Sequence, residues 1–153
     1  MSKNTCTSGL LTRQPTARQE TLVDAYGNWL NSERWHYYCT FTTRYQLTLP
    51  AARKSMERLH SHLSFRFAFT PKIFWVAEPF DTKYGCHLHA LIEVENKELT
   101  SKTDIRNAWQ VVSKGKGLKE YNNTTIKDYN WLKGAHFYLA KYLDRHGTDY
   151  DLL

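Results

Sequence analysis

One nine-residue segment predicts the centre of the fold: Cys86-His87-Leu88-His89-Ala90-Leu91-Ile92-Glu93-Val94. Every second position from Cys86 to Val94 is apolar, which is the spacing of one face of a β-strand. The side chains that share this face are Cys86, Leu88, Ala90, Ile92 and Val94. Because the face is wholly apolar, we expect it to lie in the core. His87 and His89 then project together from the opposite face.

Two imidazoles placed in this way can both reach a single divalent cation. The alternative is that His87 and His89 are two surface histidines, because a bare His-x-His pattern is short. A second such pattern, His60-Ser61-His62, falls on a predicted helix. Side chains two residues apart on a helix diverge by about 200°, so this second pair is not a candidate for chelation.

The preceding strand supplies a candidate carboxylate. Residues 73–78 (Ile-Phe-Trp-Val-Ala-Glu) predict a strand between Pro71 and Pro79, and the loop over 80–85 is short enough for an antiparallel hairpin. Such a hairpin brings Glu78 beside the two histidines. Two imidazoles and a carboxylate suit Mg²⁺ or Mn²⁺ and would also hold tighter-binding metals. The alternative is that Glu78 only ends its strand.

The other segments surround this hairpin with helices and further strands. The predicted elements are, in order, a helix over 20–32, a strand over 35–42, a helix that opens at Pro50, the two hairpin strands, a helix over 101–112, an extended segment over 118–129 and a helix over 131–145. This order predicts an α+β domain, with a four- or five-stranded antiparallel sheet and helices packed on it. Residues 1–19 are polar and aperiodic, which predicts a flexible arm before a single domain over 20–153.

Basic residues are concentrated in the first half of the chain. Residues 1–72 carry ten Lys and Arg against four Asp and Glu, whereas 73–153 carry eleven of each. The net charge of +6 therefore comes from the first half and favours a polyanionic partner such as nucleic acid. Four basic residues of this half are candidates for phosphate contacts: Arg44, Arg53, Lys54 and Arg58.

Composition excludes several other classes of protein. With 41% apolar residues in 153, the chain can bury a core and does not resemble a disordered one. The sequence contains no apolar run of about 20 residues and no signal-peptide pattern, so we expect an intracellular protein of the host-cell cytoplasm without a membrane partner. Three widely spaced cysteines form neither a disulfide framework nor a zinc knuckle, and we expect Cys39 and Cys86 to be core residues.

The last predicted helix carries a second candidate group. Tyr138 and Tyr142 are one turn apart and share a face, with Lys141 between them. A nearby cation favours the phenolate form of tyrosine, whose ordinary pKa is about 10. The alternative is that the two rings only form the rim of the core.

Taken together, these motifs resemble the HUH endonuclease superfamily, which includes rolling-circle replication initiators, relaxases and some single-strand transposases. The strand end Cys39-Thr40-Phe41-Thr42-Thr43 resembles its first motif, and His87-Leu88-His89 its His-hydrophobic-His motif. Tyr138-Leu139-Ala140-Lys141-Tyr142 is similar to its Tyr-x-x-Lys motif and to the two-tyrosine form. The three motifs occur in the family's order, and the resemblance covers about residues 35–145.

The resemblance implies a fold, a chemistry and partners. The implied fold is a five-stranded sheet in a ferredoxin-like or RRM-like layout, with the histidines on a central strand and Glu78 completing an Mg²⁺ or Mn²⁺ site. The implied reaction is nicking and joining of single-stranded or hairpin origin DNA through a 5′-phosphotyrosine. Tyr138 would be the first nucleophile, Tyr142 would take a second strand transfer or simply pack, and Lys141 would stabilise negative charge. A host or viral helicase is a further candidate partner.

Two other functions stay open at this point. A single-strand transposase would use the same chemistry on paired element ends, although its tyrosine helix usually lacks the second tyrosine. A non-enzymatic RRM-like module would bind nucleic acid without metal. The sequence lacks the G-x-x-x-x-G-K-[ST] loop of a helicase or ATPase, and it leaves open the recognised DNA, the replicon and the oligomeric state.

Overall fold

The computed structural model describes residues 17–113, 124–143, 145 and 147–153, with the side chains of 17–20 excepted. Helices and strands alternate along the chain, in agreement with the α+β prediction. Their bounds are α1 Ala17–Ser32, β1 Tyr37–Phe41, α2 Leu49–Phe67, β2 Lys72–Pro79, β3 Cys86–Glu93, α3 Lys102–Ser113, β4 Thr125–Asp128, a 3₁₀ turn Trp131–Lys133, α4 Ala135–Ala140 and β5 Asp149–Leu152.

The five strands form one antiparallel sheet in the order β4-β1-β3-β2-β5. The histidine strand β3 is therefore central, as predicted, and pairs with β1 on one side and β2 on the other. In this register Glu78 lies opposite His87, and Thr40 lies opposite His89. The hairpin prediction is confirmed, and it places the carboxylate beside the histidines.

Helices cover both faces of the sheet. On one face α2 and α3 enclose a core that includes the predicted apolar side of β3, from Cys86 at 3% exposure to Leu88 and Ile92 at 0%. On the other face α1 and α4 enclose a smaller cluster around Leu91 and Leu139. Because side chains alternate along β3, His87 and His89 lie on this second face, beneath α4. Cys39 and Cys86 are buried free thiols, as expected.

The first helix starts earlier than the sequence predicts. It begins at Ala17, so residues 17–19 belong to α1 and not to the arm, while 1–16 lie outside the described residues. Leu22, Tyr26, Trp29 and Leu30 share one face in the sequence pattern, but of these four only Leu30 is fully buried in α1, whereas Tyr26 and Trp29 are 36% and 37% exposed. The buried side of α1 instead contains Gly27. Because glycine has no side chain, α1 can approach α4 closely at this position.

The C-terminal region differs most from the prediction. The single helix over 131–145 is a 3₁₀ turn followed by α4, because Gly134 adopts a left-handed conformation (φ 67°) that interrupts the helix. Strand β5 follows it and was not predicted. Gly115 and Gly117, where the sequence predicts a turn, lie outside the described residues, and so do residues 118–123 of the predicted extended segment. From residue 124 onward that segment includes β4.

Candidate active site

Three side chains of the β2–β3 hairpin converge on one point. Glu78 Oε2 lies 2.7 Å from His87 Nε2 and 2.5 Å from His89 Nε2, and the two nitrogens are 2.9 Å apart. The imidazole planes stand at 84° to each other, so both lone pairs can be directed at a common centre. We call these residues the ligand triangle.

The ligand triangle fits a divalent metal ion. An octahedral ion with bonds of about 2.1 Å holds neighbouring donor atoms about 3.0 Å apart. The three atoms of the triangle are slightly closer than that, so small side-chain adjustments would admit the ion. Two imidazole nitrogens and one carboxylate oxygen are donors that Mn²⁺ and related ions accept. Within the described residues, this is the one group of three or more His, Cys, Asp and Glu side chains that could hold a metal.

Two hydroxyl groups lie within hydrogen-bonding distance of His89, on the side of the ring opposite the ligand triangle. Tyr38 Oη and Thr40 Oγ1 lie 3.1 and 3.2 Å from His89 Nδ1, the ring nitrogen that faces away from the triangle. The Tyr38 ring also stacks on the imidazole at 6.0 Å between centroids. Burial lowers the pKa of His89, with Glu78 acting in the opposite direction, and a low pKa favours the neutral form that binds metal.

Tyr138 of α4 and Tyr142, which lies in the turn after this helix, reach the same carboxylate. Tyr138 Oη donates to both oxygens of Glu78, at 3.2 and 3.1 Å, and Tyr142 Oη donates to Glu78 Oε1. The two hydroxyls are 3.2 Å apart. Their exposure differs: Tyr138 is 36% exposed and Tyr142 is 3% exposed. Tyr138 is therefore the ring that a bound molecule can reach first.

Cations lie over the tyrosine rings. Lys141 Nζ is 3.7 Å from the Tyr138 ring centroid and 4.9 Å from that of Tyr142, and the Arg145 guanidinium is 4.9 Å from the Tyr142 centroid. Burial lowers the pKa of Lys141, although Glu78 opposes that shift. The ammonium group lies over the faces of both rings, where a positive charge is attracted to the aromatic electrons.

The ionisation of this cluster is governed by Glu78. Burial by itself would raise the pKa of Glu78, but hydrogen bonds with Tyr142, His89 and His87 outweigh it and lower the pKa to about 2. Burial raises the pKa of Tyr138 and of Tyr142, and the negative charge of Glu78 raises both further. Both tyrosines therefore carry their protons in this state.

A close helix contact fixes α4 over the site. A Cβ atom at Gly27 of α1 would lie 2.2 Å from the Phe137 ring, so a glycine is what allows α4 to sit this close. His136 at the start of α4 is buried, and its Nδ1 is 2.9 Å from the Tyr129 hydroxyl. These contacts set the height of Tyr138 above the sheet.

The structure brings together six of the predicted site residues and leaves four elsewhere. The group at the site consists of Glu78, His87, His89, Tyr138, Lys141 and Tyr142. Arg53, Lys54 and Arg58 lie on α2, on the other face of the sheet, and Arg44 is exposed in the β1–α2 connection. Arg53 is paired with Asp149 and Asp151 of β5, at 2.6 Å each, so its charge is largely compensated within the fold. Phosphate contacts by these four residues stay predictions.

Sequence reasoning missed Tyr38, Gly27 and Arg145. The alternation of β1 contains a signal for Tyr38, because Tyr38 and Thr40 share the face opposite the buried Tyr37, Cys39 and Phe41. A scan against family models, a search of curated proteins and a search of solved structures each gave no match. Among the described residues, no helix combines the length and the apolar character needed to cross a membrane.

Proposed function

We propose that this protein is a metal-dependent HUH-type endonuclease that nicks and rejoins single-stranded DNA through a covalent tyrosine intermediate. The observation that carries the proposal is the meeting of two tyrosine hydroxyls and two histidines on one carboxylate, Glu78. A nucleophile and a set of metal ligands within one hydrogen-bonded cluster is an arrangement that suits metal-assisted phosphodiester transesterification.

The chain's own residues account for the steps of the reaction. The Tyr138 oxygen attacks phosphorus, a tyrosine O–P bond forms, and the bond from phosphorus to the 3′ oxygen breaks. The phenolic proton is lost from Tyr138, and the departing oxygen takes up a proton to become a free 3′-OH. The strand on the 3′ side of the nick then remains attached to Tyr138 through its 5′ phosphate, as a phosphodiester. Attack by a 3′-OH on this link reverses the process without ATP, because no bond energy is lost.

Glu78, His87 and His89 would hold the metal, Mg²⁺ or Mn²⁺, which when bound supplies Lewis-acid stabilisation of charge on the scissile phosphate. Lys141 keeps a positive charge beside the phenol as it loses its proton. The Tyr142 hydroxyl lies 3.2 Å from that of Tyr138, and we assign Tyr142 to a second strand transfer. Such a pair suits the initiation of rolling-circle replication at a hairpin origin, which is the biological role we propose.

A denaturing gel tests this function directly. The protein is mixed with single-stranded hairpin DNA libraries in Mn²⁺ or in EDTA, and a boiling-resistant protein–DNA adduct is sought. We expect an adduct that needs the metal and disappears in Tyr138→Phe. Tyr26→Phe is the matched control, because Tyr26 has the same 36% exposure on α1 and no part in the cluster. Metal-independent binding without any adduct would favour a binding module instead.

A further inference from the structure

The loop between β2 and β3 lies directly beside the ligand triangle. It begins at Phe80, whose ring centroid is 5.1 Å from that of His87. The ammonium group of Lys83 lies over the Phe80 ring, 4.3 Å from its centroid. Two contacts therefore connect an exposed cation to a candidate metal ligand.

The same loop displays an aromatic ring to solvent. Tyr84 is 88% exposed, and with Lys83 it lines an open cavity of about 470 Å³ formed by residues 79–85. Proteins that bind single-stranded nucleic acid combine cations that follow the backbone with aromatic rings on which bases stack. The loop offers a cation and an aromatic ring at two consecutive residues, Lys83 and Tyr84.

We propose that this loop is a nucleotide subsite, in which Lys83 binds the phosphate next to the scissile phosphodiester and the Tyr84 ring stacks on the adjoining base. This inference rests on the proposed function, which places the scissile phosphate at the ligand triangle. The ligand is an unpaired nucleotide, because a base within a duplex has both faces already stacked. Sequence reasoning assigned phosphate contacts to basic residues on α2 and in the β1–α2 connection, and it did not consider this loop.

One acidic residue lines the same cavity and provides a further test of phosphate binding there. Asp81 is exposed and lines the cavity with Lys83 and Tyr84. Its carboxylate would repel a phosphate bound at Lys83 and partly offset the attraction. We therefore expect Asp81→Asn to tighten DNA binding. If the loop does not contact DNA, the substitution should leave the affinity unchanged.

The charge of Lys83 is tested by DNA binding in EDTA, which separates binding from cleavage. The probe is a fluorescent 20-nucleotide single strand of mixed sequence, titrated by anisotropy at several salt concentrations. Lys83→Ala should weaken binding several-fold and reduce the slope of log affinity against log salt by about 0.7, the value for one lost phosphate contact. Arg66→Ala is the control, since Arg66 is an exposed cation of α2 on the opposite face of the sheet and is not one of the four predicted phosphate contacts. No loss in Lys83→Ala, or equal losses in both, would overturn the proposal.

Stacking is tested with 2-aminopurine placed at successive positions of the same strand. Bound wild-type protein should quench one or two positions, and Tyr84→Ala should remove that quenching. Phe65→Ala serves as the control, because Phe65 is an equally exposed ring (92%) at the end of α2. Unchanged quenching in Tyr84→Ala would overturn the stacking role. Circular dichroism and the Mn²⁺ affinity of each variant, expected to equal those of the wild type, establish that the fold and the ligand triangle are intact.

The covalent assay keeps the two proposals distinguishable. If the wild type forms the metal-dependent adduct while the Lys83 and Tyr84 variants bind DNA normally, the subsite is overturned and the nickase stands. If no adduct forms on any substrate while Lys83→Ala still lowers affinity and salt slope, the nickase is overturned and nucleotide binding by the loop is supported.

Discussion

The Tyr142 hydroxyl donates a hydrogen bond to Glu78 Oε1, so a single carboxylate links the tyrosine helix to the histidines of the central strand. The other oxygen of Glu78 lies 2.5 Å from His89 Nε2. Burial raises the pKa of Tyr142, and the bond to Glu78 raises it further. Tyr142 therefore keeps its proton in this state, and under the proposed mechanism we expect the more exposed Tyr138 to act first.

Removing one histidine of the ligand triangle should abolish metal binding. Isothermal titration with Mn²⁺ should show binding to the wild type and none to His87→Ala. A ligand at 100 times its Kd stabilises a protein by about 2.7 kcal/mol, so Mn²⁺ should also raise the Tm of the wild type alone. His62→Ala is the control, because it alters the His-x-His pattern that lies on α2. Wild-type Mn²⁺ affinity in His87→Ala would show that the triangle is not the metal site.

The hydroxyls behind His89 should tune metal affinity without contacting the ion. A metal-bound Nε2 leaves the proton on Nδ1, which then donates to Tyr38 Oη or Thr40 Oγ1. Loss of such a partner typically lowers metal affinity about 10–100-fold. We expect Thr40→Val to weaken Mn²⁺ binding by about tenfold, and Thr40→Ser to restore it. Equal affinities for the wild type and both variants would assign these hydroxyls a purely structural role.

The close contact between Gly27 and Phe137 should make any larger side chain at position 27 destabilising. Gly27→Ala places a methyl group 2.2 Å from the Phe137 ring, and such overpacking costs about 1–3 kcal/mol. Urea denaturation should therefore show a destabilised protein, although alanine has the better helix propensity. Adding Phe137→Leu should recover part of the loss. A Gly27→Ala protein more stable than the wild type would mean that α4 moves away freely.

Acidification should destabilise the metal-free protein, and Glu78 should cause part of that loss. Its pKa is about 2 in the fold against an ordinary 4.5, because hydrogen bonds outweigh burial. A carboxyl group with a lowered pKa contributes stability that is complete above its unfolded pKa and disappears as the pH falls through its folded pKa. Urea unfolding in EDTA from pH 7 to pH 3 should thus show a shallower decline for Glu78→Gln than for the wild type.

The control for this pH dependence is Glu57→Gln, which removes an exposed glutamate from α2. Its unfolding free energy should follow the wild type at every pH. Parallel curves for the wild type and Glu78→Gln would instead show that the hydrogen bonds to Glu78 contribute nothing to folding.

The predictable part of the site is the part fixed by local strand geometry. The alternation of β3 places both histidines on one face, and a short loop places Glu78 opposite His87. Both follow from side-chain period and hairpin pairing, which depend on neighbouring residues alone. The central position of the histidine strand was instead an expectation from the family resemblance, because the strand order β4-β1-β3-β2-β5 joins segments that are distant in sequence.

The unpredicted part depends on contacts between distant residues. Strand β5 contains Asp149 and Asp151, which disfavour a strand, and Arg53 stabilises it from 96 and 98 residues away. Tyr38 reaches His89 only through the pairing of β1 with β3. The late start of the tyrosine helix at Ala135 depends on Gly134, whose left-handed conformation is not apparent from the helical pattern around it.

Peptide mapping of the covalent adduct tests the central claim most directly, because trypsin separates the two tyrosines. Cleavage after Lys133, Lys141 and Arg145 puts Tyr138 in the peptide 134–141 and Tyr142 in the peptide 142–145. After reaction with DNA in Mn²⁺ and nuclease trimming, mass spectrometry should find a 5′-linked nucleotide on the peptide 134–141. A nucleotide on 142–145 alone would reverse the roles of the two tyrosines, and the absence of any modified peptide would contradict the proposed chemistry.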